Sequence, residues 1–234
     1  MIFVTGTDTS AGKTLLAALL TLQLRRSGIH ALAMKPLCSG GRQDVRLLRE
    51  IIEGELCEDE INPFYFDEPV APLVAQRLHG QALTLSQVLL RIRVLQPRCE
   101  CLIVEGAGGL RSPLGQDFDN RDVAAALGCP VAVAARNRLG VINQGILTAA
   151  SLQDFGVKLV KFVLMGERRG DISTRTNLTI LQEKLPGVPV ASLPYLGDGL
   201  DSACGVRRIW KKVQKTLARW MSSGSFNAVL QRKR

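Results

Sequence analysis

Long apolar runs are missing from this 234-residue sequence. Nowhere do about 18 or more apolar residues follow one another, so there is no candidate membrane span. The opening stretch, Met1-Ile2-Phe3-Val4-Thr5-Gly6, lacks a basic segment leading into a long apolar one, and no secretory signal is expected. The expected location is the cytoplasm. Zinc-ligand spacing is missing as well: the six cysteines (Cys38, Cys57, Cys99, Cys101, Cys129, Cys204) contain no CxxC pair. Most have apolar neighbours, and reduced core thiols are expected in preference to redox or metal groups. Acidic residues are missing from Gly205 onward, where nine of the thirty basic residues lie. The first 204 residues therefore carry twenty-one charges of each sign, and the whole formal excess of +9 sits in the tail. A body that bound nucleic acid through its main surface would carry a basic face of its own, so no nucleic-acid partner is expected.

What is present fits one soluble α/β domain. The hydrophobic fraction of 46% and the charged fraction of 22% are ordinary, and the length suffices for a buried core. No internal repeat or linker divides the chain. The domain is placed at 1–204, followed by a basic C-terminal helix and tail over 205–234. Within that tail, 206–221 reads as an amphipathic helix and 222–234 as a loose end. A solvated helix packed on the body is the preferred reading; contact with a polyanion or a membrane surface is the other.

Strand-length apolar runs alternate with segments of helical period, the pattern of a parallel sheet wrapped by helices. Strands are expected over Ile2–Thr5, Ala31–Lys35, Cys101–Val104, Val131–Ala135, Leu159–Leu164 and Val188–Leu193. Helices are expected over Lys13–Ser27, Asp44–Glu53, Pro72–Leu78 and Leu85–Leu95, and near 141–154 and 173–185. Asn62–Pro72, with three prolines, reads as irregular.

The sharpest motif is Gly6-Thr7-Asp8-Thr9-Ser10-Ala11-Gly12-Lys13-Thr14. It follows a strand and opens a helix, the setting in which a phosphate-binding loop is meaningful. Successive N–H groups and the helix N-terminus form a positive concavity for phosphate. Lys13 is expected to reach the β- and γ-phosphates, and the Thr14 hydroxyl to ligate Mg²⁺. Five residues, not four, separate the two glycines. Glu105 closes an apolar strand and is the candidate second cation ligand, a solvated strand end being its plainer reading. The Gly106-Ala107-Gly108-Gly109 turn then offers N–H groups beside the γ-phosphate. The fold implied is a three-layer P-loop NTPase fold, a mainly parallel central sheet flanked by helices.

These segments together resemble the dethiobiotin synthetases. The resemblance is carried by Thr5-Gly6-Thr7-Asp8-Thr9 through Gly12-Lys13-Thr14, Lys35-Pro36 with Ser39-Gly40, Val104 through Gly109, and Leu139-Gly140 with Ile142-Asn143. Asn62-Pro63 with Glu68-Pro69 matches more weakly. It implies an ATP- and Mg²⁺-dependent ligase that joins CO₂ to the two amines of 7,8-diaminononanoate through a carbamate and its phosphorylated form. By resemblance Lys35 is the catalytic lysine, with Lys13 and Thr9 beside it, and Ser39 faces the substrate. Asp44 joins Thr14 and Glu105 around Mg²⁺. ATP is held by Ser10, Ala11, Gly12, Lys13, Thr14, Leu15, Asp44, Glu105, Gly106, Ala107 and Gly108, with Pro194, Tyr195 and Leu196 on the base side. Leu139, Gly140, Val141 and Asn143 take the substrate carboxylate from a partner subunit, which implies a homodimer. Plainer roles exist: a solvated strand-end lysine at 35, a helix N-cap at Asp44, an ordinary helix start at 139–143.

The chain departs from the family at Met165-Gly166, where an Asn-Asp pair often reads the adenine; weakened selectivity for ATP is the expectation. Three rivals share the P-loop, one of them a degenerate, non-catalytic binding module, against which the retention of Lys13, Thr14, Lys35 and Glu105 argues. Regulatory ATPases of the partitioning or septum-positioning class generally carry an extra lysine early in the loop, where Thr7-Asp8 stand. Amidase-coupled synthetases need a glutaminase domain for which the length leaves no room.

Overall fold

Wholly apolar strands such as Cys-Leu-Ile-Val ahead of Glu105 are stable only where both faces of a sheet are covered, and the structure covers them. It is a computed structural model and describes residues 1–223. The expected loose end over 222–234 therefore lies outside the described residues, except for Ser222 and Ser223.

In chain order β1 (Ile2–Gly6) leads into α1 (Lys13–Arg26) and β2 (Ala31–Met34), then β3 (Leu37–Ser39), α2 (Gln43–Ile51), α3 (Glu58–Ile61) and β4 (Phe64–Phe66). Next come α4 (Pro72–Leu78), α5 (Leu85–Leu95), β5 (Cys101–Glu105), α6 (Asn120–Leu127), β6 (Val131–Arg136) and α7 (Val141–Asp154). The chain continues through β7 (Val160–Met165), α8 (Asn177–Lys184), β8 (Val190–Leu193) and α9 (Ala203–Ser222). Six strands pair in the order β2-β5-β1-β6-β7-β8, every pairing parallel. Helices cover the sheet, giving the three-layer α/β architecture expected. β1 sits between β5 and β6, which sends its loop and the loop after β5 to the same carboxyl edge, where ligands of open α/β sheets bind.

The structure differs from the sequence reading at three places. Asn62–Pro72 is not all irregular: Phe64–Phe66 pairs in parallel with Leu37–Ser39. Pro36 ends β2 and turns the chain out of the main sheet, so this short pair forms beside it. The helix near 173–185 is a 3₁₀ turn over Ile172–Arg175 followed by α8. The cysteines are all free thiols, but only Cys38 and Cys101 are buried, while Cys57 and Cys204 are exposed.

Among the described residues past 204, the helix does not stand apart from the body. α9 begins at Ala203, where the Ser202 hydroxyl caps it by accepting from Gly205 N–H. Val206, Ile209, Val213, Leu217, Trp220 and Met221 are buried along one stripe, and α9 packs on α1. Its opposite face carries Arg208, Lys211, Lys212, Lys215 and Arg219 into solvent. One face is thus packed on the body and the basic face is left open to solvent, as in an amphipathic surface helix. Its end is fixed by a buried cation. Lys161, on β7 and 1% exposed, donates to Trp220 O at 2.6 Å, to Met221 O at 3.1 Å and to Ser223 O. Burial pushes its ammonium down to about 8, while the carbonyl end of a helix is where a cation is most welcome. Lys161→Met keeps the volume but removes this donor; we expect a loss of about 1–3 kcal/mol. Thermal denaturation measures it, and an unchanged midpoint would mean that the apolar stripe alone holds the helix.

Candidate active site

The loop after β1 wraps where an anion would sit. Gly12 has φ +92, a conformation suited to glycine, and a Cβ there would press to 3.0 Å from the Met165 side chain. Ser10 also has positive φ, at 57°. Lys13 opens α1, is only 6% exposed, and donates to Asp8 O at 3.0 Å. Burial pulls its ammonium below the ordinary lysine value, with Glu105 pulling it back up. Ala11 is fully buried, so it offers main chain only.

One residue past β2, Lys35 projects into the same space. Asn62, 0% exposed, fixes the chain there by donating to Lys35 O at 2.9 Å and to Pro36 O at 3.3 Å. The Lys35 ammonium donates to Glu105 Oε1 at 2.9 Å and to Asp44 Oδ2. Burial opposes its charge, but Glu105 and Asp44 outweigh burial and hold it above the ordinary lysine range. Asp44 feels the reciprocal effect: burial would raise its carboxyl, yet Lys35 keeps it below the usual carboxylate range. Asp44 is not the helix cap; α2 starts a residue earlier with Arg42 at the cap position, which leaves Asp44 in the first turn.

Thr14 Oγ1 donates to Glu105 Oε1 at 2.7 Å. Glu105 Oε2 is buried with no hydrogen-bond partner among the described residues. A buried, unpartnered carboxylate oxygen beside a hydroxyl and a second carboxylate makes a hard-oxygen donor set of the kind Mg²⁺ takes. The residues present fit that cation.

A cavity of about 610 Å³ gathers these groups. Thr9, Ser10, Gly12, Lys13, Thr14, Leu15, Lys35, Ser39, Asp44, Glu105, Ala107 and Gly108 line it, with Pro69–Pro72 as an apolar wall. The two lysines thus face one pocket. The Ser39 hydroxyl donates to Val70 O at 2.7 Å and ties β3 to that wall. Gly106 lines neither this cavity nor its neighbour; its N–H donates to Val4 O at 2.8 Å. A second cavity of about 560 Å³ lies across the loop and shares Ser10, Gly12 and Leu15 with the first. It is walled by Met165, Gly166, Glu167, Pro194, Tyr195 and Leu196.

Leu139, Gly140, Val141 and Asn143 are not brought to the lysines within one chain. Leu139 is 79% exposed and its N–H donates to Asp171 Oδ2 at 3.0 Å. Val141 is fully buried with its N–H on Arg138 O, so its side chain is core. Asn143 lies exposed in the first turn of α7. Two buried asparagines escaped the sequence reading. Asn62 showed only as a weak motif match, and Asn120, at the start of α6, gave no signal of its own.

A family model described as an AAA domain matches residues 1–200. The chain is 36% identical over 203 residues to the ATP-dependent dethiobiotin synthetase BioD of Bacillus licheniformis, covering 84% of this chain and 86% of that protein. It is 37% identical to the protein of that name from Bacillus subtilis (80% and 84% covered) and 38% identical to that of Anaeromyxobacter dehalogenans strain 2CP-1 (84% and 91%). Among solved structures, a ParA family ATPase from Chlorobium tepidum superposes with a TM-score of 0.56 at 13% identity, each chain 98% covered. The MinC:MinD cell division complex of Aquifex aeolicus gives 0.59 at 12% identity, each chain 96% covered. At such identities the last two share the fold alone.

Proposed function

The chain belongs to the dethiobiotin synthetase family and is an ATP-dependent ligase, and from that premise we propose that its pocket closes a cyclic urea on 7,8-diaminononanoate. The observation that supports this most is the convergence of Lys13 and Lys35 on one cavity with Thr14, Asp44 and Glu105. A regulatory ATPase of the partitioning class generally carries its extra lysine early in the loop, where Thr7-Asp8 stand here; the second lysine of this pocket comes instead from just past the end of β2, beside an apolar wall. Every intermediate of the ligase is anionic, so its catalyst needs positioned cations and amide dipoles more than acids and bases.

The proposed course is as follows. One amine of the substrate attacks CO₂ and loses a proton, giving a carbamate beside Lys35. A carbamate oxygen attacks the γ-phosphorus of ATP, the bond to the β-phosphate oxygen breaks, and ADP leaves. The second amine attacks the carbamate carbon and gives up a proton, the carbon–oxygen bond to phosphate breaks, and phosphate leaves with its bonding pair and can take up that proton. Lys13 balances charge on the β- and γ-phosphates, and Lys35 balances it on the carbamate. Thr9 lies on the pocket rim, and Pro69–Pro72 would shelter the aliphatic chain from water. Mg²⁺, held by Thr14, Asp44 and Glu105, would supply further positive charge to the phosphates.

The exposed Leu139–Gly140 start of α7 suits the reading in which a second copy supplies the carboxylate site, the amide-rich helix N-terminus favouring an anion. Full turnover by a species that sediments as a monomer would remove that part. The whole reading is tested by mass spectrometry of a mixture of protein, diaminononanoate, bicarbonate, Mg²⁺ and ATP. Dethiobiotin is the expected product; ATP hydrolysis with no cyclic urea would reject it.

The base side yields a prediction of its own. Gly166 N–H donates to Leu193 O at 3.0 Å, and a Cβ at 166 would fall 2.4 Å from Tyr195 N. No amide side chain fits at that position, and Met165 turns its thioether onto Gly12. Base reading is left to main-chain groups and to Glu167, itself paired with Arg136. Turnover with ATP, GTP, CTP and UTP should therefore agree within about tenfold, since one missing hydrogen-bond reader removes about 1 kcal/mol or a little more. Exclusive use of ATP would contradict it.

A further inference from the structure

A turn that presents amides to phosphate must hide its carbonyls, and a single side chain does this here. Asn120 opens α6, is 0% exposed, and donates through Nδ2 to Ala107 O at 2.7 Å and to Gly109 O at 2.7 Å. Its Oδ1 is buried with no partner among the described residues. That oxygen lies against Gly106, where a Cβ would come within 2.3 Å of it. Two carbonyls at such distances demand donors, so the amide cannot be turned over. The neighbouring Asp119 fixes the start of the helix. It accepts from Arg121 N–H at 2.7 Å and pairs with Arg111 and Arg121, both at 3.1 Å.

The N–H groups of the turn complete the pattern. Gly106 donates to Val4 O at 2.8 Å, Gly109 to Ser112 Oγ at 2.8 Å, and Leu110 to Gly6 O at 3.0 Å. The N–H groups of Ala107 and Gly108 have no acceptor among the described residues, and both residues line the cavity that holds Lys13 and Lys35. With the carbonyls of 107 and 109 held by Asn120, these two amides are left free to donate to an anion in that cavity. We infer that Asn120 is a positioning residue: through the Ala107 and Gly109 carbonyls it holds an anion hole for the phosphoryl group being transferred. The inference rests on the proposed ligase reading for the reaction, but not for the phosphate geometry. Preorganised donors of this kind matter most where charge develops, and a displacement of about 1 Å costs roughly a hundredfold in rate.

Asn120→Ala and the isosteric Asn120→Asp, which replaces both donors by acceptors, test it. Affinities for ADP and for the β,γ-imido analogue of ATP are measured by titration calorimetry, alongside kcat and a thermal melt. We expect ADP binding at the wild-type value, analogue binding weaker by about tenfold, and kcat lower by roughly a hundredfold. Should the alanine variant not fold, the aspartate variant supplies the same comparison. A wild-type analogue-to-ADP ratio, or a wild-type kcat, would overturn the inference. If the unmodified protein made no cyclic urea, the ligase reading would fall. The analogue-to-ADP ratio needs no diamine and would still decide the role of Asn120.

Discussion

Lys35→Ala should leave a folded protein that binds ATP and makes no measurable cyclic urea, a loss of at least about a thousandfold in kcat. The ammonium is buried at 6% exposure between Glu105 and Asp44, and among the described residues no other cation but Lys13 lines that cavity. Its removal uncovers two carboxylates where the proposed anionic carbamate would form, so the site should turn from attractive to repulsive. The phosphate loop is untouched, and ATP affinity should change little. Steady-state product formation with parallel nucleotide titration separates the two effects. A wild-type rate would remove Lys35 from the chemistry; an equal loss of ATP binding would move it to the phosphates.

Lys13→Ala should fail differently. Lys13 is the loop's own cation, held over the phosphate concavity by its bond to Asp8 O. Without it both ATP binding and phosphoryl transfer lose their main counter-charge, and kcat/KM for ATP should fall by roughly 10³ to 10⁴. Burial already pulls this ammonium below its ordinary value, so the alanine variant also loses a desolvated charge, and its fold should persist. The contrast is diagnostic. Lys13→Ala raises KM for ATP, whereas Lys35→Ala does not.

Much of the frame was legible because long elements carry period. The apolar spacing of Pro72–Leu78, Leu85–Leu95 and 141–154 gave those helices their observed bounds. The loop from Gly6 to Thr14 was legible because strand, glycines and Gly-Lys-Thr occur in one order for one physical purpose. β3 and β4 were not, since three residues each carry no period and their pairing depends on Pro36 expelling the chain from the main sheet. α6 was missed although Asp119 and Asp122 form its capping box, because no long apolar run announces its eight residues.

Asn62 and Asn120 show the deeper limit. A polar residue that holds main-chain carbonyls from inside the fold leaves no pattern in the sequence, since its partners lie up to 27 and 13 positions away. The space lost at Gly166 is of the same kind: the residue was visible, but the closeness of the 194–195 backbone was not. The start of α9 was misjudged by a smaller margin: the helix expected from 206 begins at Ala203, behind the Ser202 cap.

The central claim is that the γ-phosphoryl group moves to a carbamate in the pocket shared by Lys13 and Lys35. Turnover in ¹⁸O-labelled bicarbonate, sampled before the label exchanges with water, reads that transfer directly. The account predicts one ¹⁸O from CO₂ in each released phosphate and one retained in the ureido carbonyl. Cyclic urea formed with unlabelled phosphate would contradict it.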